Sequence, residues 1–229
     1  MSDTAMRGPP STASAQPWWS DLCSLNLSLD IDVQHFVRNV PSVGEESLSD
    51  YLFWKWRLLD ARFKFLTVEP SESGEPDTGA DFLLELWVLD SFRALPLLIQ
   101  AKKFIEPVPH GPPWQGYRQK LLYPGGDSPA YQLNSLIQCA DTMRMSPCYL
   151  IYSDGRCLGH PFALHLVRAK RIKSFLLPLP MPIKPGALLP KRKRRPALQL
   201  EQILAAGRPL HSLFCPASLK RHPARTQSS

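Results

Sequence analysis

A chain of 229 residues with 44% hydrophobic content is long enough for one ordinary domain with tails and too apolar for global disorder. It holds no apolar run of about 18 residues, so no transmembrane helix is expected, and its N-terminal stretch lacks the apolar segment of a secretory signal. The net charge of +7 divides unevenly: residues 155–229 carry 15 Lys or Arg against one acidic residue, Glu201, which leaves the remainder acidic at −7.

An acidic body suits carboxylates gathered around a cation, and a basic tail suits a polyanion. Five cysteines (Cys23, Cys139, Cys148, Cys157 and Cys215) form no CxxC pair. Their odd count and scattered spacing predict free thiols and a reducing, cytoplasmic setting. A zinc site through Cys148, Cys157, His160 and Cys215 is the alternative, at a spacing that matches no standard zinc motif.

Residues 1–40 read as a leader, partly disordered and rich in Pro, Ser and Ala over its first half. Its second half predicts a short helix with Asp32 as a cap. Pro41 to Gly44 punctuates the chain, and Leu48, Leu52, Phe53, Trp56 and Leu59 follow at helical spacing. Ser42 with Glu45 three residues on has the pattern of a capping box, so a helix is expected from about Val43 to Ala61.

Phe63 to Glu69 alternates apolar and polar residues and predicts a strand. Asp81 to Asp90 predicts a second, heavily apolar and hence central. Ala94 to Lys103 predicts a third. Glu106 to Pro129 is a long Pro- and Gly-rich loop with room for a short helix around Trp114 to Leu122. Tyr131 to Met143 predicts a helix, Cys148 to Tyr152 a compact strand, Pro161 to Phe175 a helix, and Ala197 to Ala206 a last one. Lys191 to Arg195 is an unbroken basic run.

The chemistry concentrates at strand ends. Asp81 opens the second strand; Gln100 and Lys102 close the third, and residues two apart on a strand share a face. A hairpin of these strands brings a carboxylate, an amide oxygen and an ammonium to one edge. Mg2+ prefers such hard oxygen ligands and keeps several waters. It polarises a phosphate and acidifies a bound water, while a neighbouring lysine stabilises developing negative charge. Glu85 shares the strand face of Asp81 and reads either as a further ligand or as a salt-bridge partner of Lys102. Glu69, closing the first strand, is another candidate ligand. Glu45 and Glu46 begin the preceding helix, where the dipole alone favours acids; Glu46 is taken as the acid contributed to the site.

Gly79-Ala80-Asp81 before a strand, then Gln100-Ala101-Lys102-Lys103 after another, resembles the PD-(D/E)XK nuclease superfamily. Among its members the pattern is most similar to Mrr-like restriction endonucleases, in which glutamine replaces the usual acid before the lysine, and to a group of bacterial proteins with the same core. The leading helix from Glu46 and the Tyr131-Gln132-Leu133 helix with its following strand fit the same scheme. The resemblance spans roughly residues 44 to 155.

It implies an α/β fold of restriction-endonuclease-like type, with an αβββαβ core whose small mixed sheet is flanked by helices. It implies catalytic residues Asp81, Gln100, Lys102 and Glu46, and metal ligands Asp81, Gln100, Glu69 and Glu85 for Mg2+ or Mn2+. The domain plan is then a leader (1–40), a nuclease-like core (41–155) and a basic, Pro-rich extension (156–229) assigned to no family. Lys191, Arg192, Lys193, Arg194 and Arg195 would bind nucleic-acid phosphates, or serve as a nuclear import signal in a eukaryote. The partner implied is nucleic acid, above all DNA, and not a membrane. A homodimer is implied because one site cuts one strand. The rival expectation is a nuclease-fold module that binds nucleic acid or protein without catalysis.

Overall fold

The computed structural model describes residues 15–63, 66–70, 79–88, 93–104, 121, 131–157, 159–176 and 200–215. In chain order the elements are α1 (Ala15–Asn39), α2 (Glu45–Phe63), β1 (Leu66–Pro70), β2 (Phe82–Val88), β3 (Arg93–Lys103), α3 (Gln132–Met143), β4 (Ser146–Tyr152), β5 (Leu164–Arg168), α4 (Ala169–Leu176), α5 (Leu200–Ala205) and β6 (Arg208–Pro209), ending in a 3-10 turn at Leu210–Phe214. The six strands form one mixed sheet in the order β1-β2-β3-β4-β5-β6. Neighbours run antiparallel except β3 and β4, which are parallel and joined through α3. The fold is mixed α/β, and α2-β1-β2-β3-α3-β4 reproduces the expected αβββαβ order.

Both faces of the sheet are covered, which explains the near-continuous apolar runs of β3 and β4. One face presents Phe82, Leu84, Leu97, Ile99, Leu150, Leu164 and Leu166 to a core shared with Leu22, Leu29 and Val33 of α1, Leu48, Leu52 and Trp56 of α2, and Leu213 and Phe214 of the 3-10 turn. The other presents Leu98, Tyr149, Ile151 and Val167 to Leu133 and Leu136 of α3, Ile172 and Leu176 of α4, and Ile203 and Leu204 of α5.

The chain is organised more widely than its sequence suggests. Residues 15–39 are not a leader with a short helix but one 25-residue helix, and Asp32 lies inside it, accepting a hydrogen bond from Tyr51 Oη at 3.2 Å instead of capping. The helix is anchored by polar groups. Asp30 accepts the backbone N–H groups of Ala163 (2.9 Å) and Leu164 (2.8 Å), and Trp56 Nε1 donates to Asn26 Oδ1 at 3.2 Å.

The expected helix over Pro161–Phe175 is two elements: strand β5, buried from Leu164 to Val167, and then α4 with no break between them. Far from a separate extension, β5, α4, α5, β6 and the 3-10 turn complete the sheet and both cores. Helix α2 starts at Glu45, so Ser42 lies outside it and is exposed. Residues 191–195 and almost all of the loop from Glu106 to Pro129 lie outside the described residues.

Cys23 and Cys215 are disulfide-bonded across 192 residues, tying α1 to the end of the 3-10 turn; Cys139, Cys148 and Cys157 are free thiols. This overturns the expectation of five free thiols and removes Cys215 from any zinc set. It also removes the cysteine count as an argument for a reducing compartment. Burial pushes the Cys148 thiol up to about 11, which leaves it inert at neutral pH.

Candidate functional site

The end of the sheet where β3 and β4 finish gathers the residues singled out above. Gly79 leads into it with φ +65°, a conformation open to glycine, and a β-carbon there would lie 2.4 Å from the Gln132 carbonyl oxygen. That close approach sets the loop against the first turn of α3. Two residues on, the Asp81 N–H bonds the Ile99 carbonyl at 2.8 Å, which extends the β2–β3 register and sets Asp81 opposite Gln100.

The Asp81 carboxylate is half-buried, and its Oδ2 accepts two hydrogen bonds, from Gln100 Nε2 at 2.8 Å and from the Ala101 N–H at 2.6 Å. Gln100 is fully buried. Lys102 is two residues further on the same face and 8% exposed; its Nζ stands 3.4 Å from Glu45 Oε2. The other Glu45 oxygen accepts the Lys103 N–H at 3.0 Å, and Lys103 Nζ donates to the Pro41 carbonyl at 2.7 Å and to that of Val43. One carboxylate therefore straps the start of α2 to the end of β3.

Beneath this edge, Tyr152 Oη and Ser49 Oγ share a hydrogen bond of 2.9 Å. Burial raises the Tyr152 phenol far above its ordinary range, and the negative charges of Asp81, Glu45 and Asp50 push the same way. Those three carboxylates thus act on one point at this end of the sheet.

The structure brings Asp81, Gln100 and Lys102 together and adds Glu45 in place of Glu46. Glu46 is exposed and takes no part. The two are adjacent first-turn acids, separated only by where the helix begins. Glu85 is not at the site: it pairs with Thr67 and Pro96, four residues from Asp81 and so roughly 13 Å along the strand at about 3.3 Å per residue. Glu69 is exposed on edge strand β1 opposite Leu83, two positions from the row of Asp81. Among the described residues no three His, Cys, Asp or Glu side chains are close enough together to hold a metal ion.

What remains fits only a sparse mode of Mg2+ binding, in which one or two carboxylates hold the ion and water and phosphate oxygens complete its shell. Asp81 supplies the carboxylate. Gln100 presents Nε2, not Oε1, to Asp81; offering its oxygen to a shared cation requires the amide to turn over. A second polar cluster, His160, His165 and His211, sits around β5. Burial, and then the neighbouring His160 and His211, push the His165 imidazole down to about 4, so it is neutral at pH 7 and reads as core rather than as a cation.

The chain belongs to a family of unknown function (DUF6615), whose model matches residues 22–229. The match takes in α1 from Leu22 onward and every element after β4, in keeping with their place in the core. No relative was found among curated proteins. No helix among the described residues is long and apolar enough to cross a membrane.

Proposed function

We propose that the chain is a Mg2+-dependent nuclease that hydrolyses phosphodiester bonds, with DNA as the substrate, and that it is a member of the PD-(D/E)XK superfamily its sequence resembles. The observation that carries this reading is the meeting of Asp81, Gln100 and Lys102 at one sheet end, delivered by two adjacent antiparallel strands. Asp81, with Gln100 turned to present its oxygen, would hold the ion. A bound Mg2+ supplies a polarised phosphoryl oxygen and a more acidic water. Lys102 places its ammonium against the non-bridging oxygens and stabilises the charge that grows on them. Glu45 positions Lys102 through the 3.4 Å contact and fixes the β3 end through the Lys103 N–H. Double-strand cleavage calls for two copies, since one such site cuts one strand.

With Mg2+ or Mn2+ the full-length protein should cleave plasmid DNA, and EDTA should stop it. Asp81→Asn removes the charged ligand and should lower cleavage by ~10^3-fold or more. Lys102→Ala should do the same while metal-ion binding, read by calorimetry, survives. Gln100→Glu should tighten that binding by adding a charge. Undiminished cleavage by Asp81→Asn protein places the chemistry elsewhere.

A second reading has its own support. The Gln100 amide is engaged with Asp81, and no three-acid group exists among the described residues. On that basis the chain is a nuclease-fold module that binds nucleic acid without cutting it, and binding unaffected by Mg2+ or by Asp81→Asn would favour this.

A further inference from the structure

Helix α4 is amphipathic in an unusual sense. Ala169, Ile172 and Leu176 are buried at i, i+3, i+7 spacing, while Lys170, Arg171, Ser174 and Phe175 are exposed and Lys173 is half-exposed. The helix carries no acid, whereas Arg168 just before it pairs with Cys148 and lies on the other face of the sheet. Lys170 Nζ pairs with Asp141 of α3 at 2.7 Å, but both side chains stand more than half in solvent, where such pairs are weak and exchangeable. Among the described residues no carboxylate bonds Arg171 or Lys173.

The helix also has a direction. Lys170 meets Asp141 near the far end of α3. One turn later Lys173 shares a shallow groove with Asn134, Ile137, Gln138, Thr142 and the same Asp141. Helix α4 therefore climbs antiparallel to α3, whose first turn lies against Gly79, two residues from Asp81. The two helices cover the face that carries Gln100 and Lys102.

We propose that the outer face of α4, through Arg171 and Lys173 with Lys170 released from Asp141, is a docking surface for a nucleic-acid backbone. Charge complementarity names the occupant: three cations within four residues, faced among the described residues by the one exposed and exchangeable carboxylate of Asp141, neutralise phosphates and release their counterions. A lipid surface fits less well, because it calls for a continuous apolar face, and the large apolar residues of α4 other than Phe175 are in the core. Phe175, 43% exposed at the end of the basic stretch, suits stacking on an unpaired base. The surface deepens the nuclease reading by naming where the strand lies, yet it stands or falls on binding and not on cleavage.

The test is a salt titration of binding, without divalent ions, of full-length protein to a labelled DNA duplex, to the corresponding single strand, and to vesicles of phosphatidylcholine and phosphatidylserine. Lys170→Gln/Arg171→Gln/Lys173→Gln should lower the magnitude of the log–log salt slope on duplex by about 2–3, at ~0.9 per lost contact, and by less on the single strand. Lys55→Gln/Arg57→Gln, on α2 beyond the opposite face, should leave the slope unchanged. An unchanged slope in the triple variant overturns the proposal. So does an equal loss in the α2 variant, which would mean diffuse attraction to net charge, and so does α4-dependent binding to vesicles with none to DNA. A lowered slope in a protein that never cuts DNA leaves the surface standing and removes the nuclease; a normal slope beside intact cleavage does the reverse.

Discussion

Asp30 and Asp81 are carboxylates drawn in from solvent at two places in the molecule, and they are handled differently. Asp30 is 1% exposed, each of its oxygens takes one backbone N–H, and both donors come from the start of β5. It fastens α1 to the sheet, and burial pushes it up to about 6 in spite of those bonds. Asp81 is half-buried at a sheet end, beside a glutamine amide that lies two residues from a lysine. A carboxylate saturated by backbone donors has nothing left to do but hold. One set among side chains that can themselves turn, at a partly open edge, can exchange partners for a ligand. Burial alone does not separate the two roles, nor does a backbone donor, since Asp81 also takes the Ala101 N–H; the side-chain donor Gln100 beside a partly open edge does.

The comparison breaks most sharply under substitution. Asp81→Asn should abolish cleavage yet leave urea unfolding within about 1 kcal/mol of the parent, since the amide oxygen still accepts the Ala101 N–H. Asp30→Ala should do the opposite. It strands two buried N–H groups, so unfolding should come earlier by about 2–4 kcal/mol, with activity per folded molecule unchanged. Loss of activity in Asp30→Ala protein that is still folded would erase the distinction.

The second fastener of α1 is covalent. Cys215→Ser opens the Cys23–Cys215 bridge and should lower stability by about 2–3 kcal/mol under oxidising conditions and by nothing under reducing ones. The effect should stay moderate, because Leu210, Leu213 and Phe214 still pack into the core that α1 shares. An equal loss with and without reductant would mean that the cysteine matters through packing rather than through the bond.

Much of this is legible in the chain, and unevenly so. The strands β2 and β3 announce themselves by apolar runs, and the two-residue spacing of Gln100 and Lys102 is enough to put both on one face. Strand β5 is hidden because Arg168 passes into Ala169 with no glycine or proline between strand and helix, so Leu164 to Leu176 reads as one helical stretch. Glu45 and Glu46 are indistinguishable by pattern, since only the helix start decides which acid reaches Lys102. Glu85 is legible as sharing a face with Asp81, but face says nothing of distance along the strand. Helix α1 reads as a leader because its anchors, Asp30 and Cys23, find their partners more than 130 residues away. No local pattern encodes a pairing that only the assembled sheet creates.

The smallest expected effect concerns pH, and it sharpens the contrast between carboxylates. The Asp30 carboxyl, raised to about 6, keeps a proton in the folded state that the unfolded chain releases, so this group adds stability as pH falls from about 6 towards its unfolded value of about 4. His165, lowered to about 4, refuses a proton that the unfolded chain accepts, so its stabilisation is present above about 6.5 and is lost as pH falls towards 4. The two contributions are similar in size and opposite in sign over nearly the same window, and they largely cancel in the parent protein. His165→Gln lifts one of them. Across urea titrations between pH 7 and pH 4, that variant should gain on the parent by on the order of 2–3 kcal/mol, whatever its offset at pH 7. Other carboxylates titrate equally in both proteins and drop out of the difference. Parallel curves would show that the His165 imidazole holds its proton no differently in the folded state; Asp30, present in both proteins, is read instead by Asp30→Asn, which should lose stability against the parent as pH falls from about 6 towards 4.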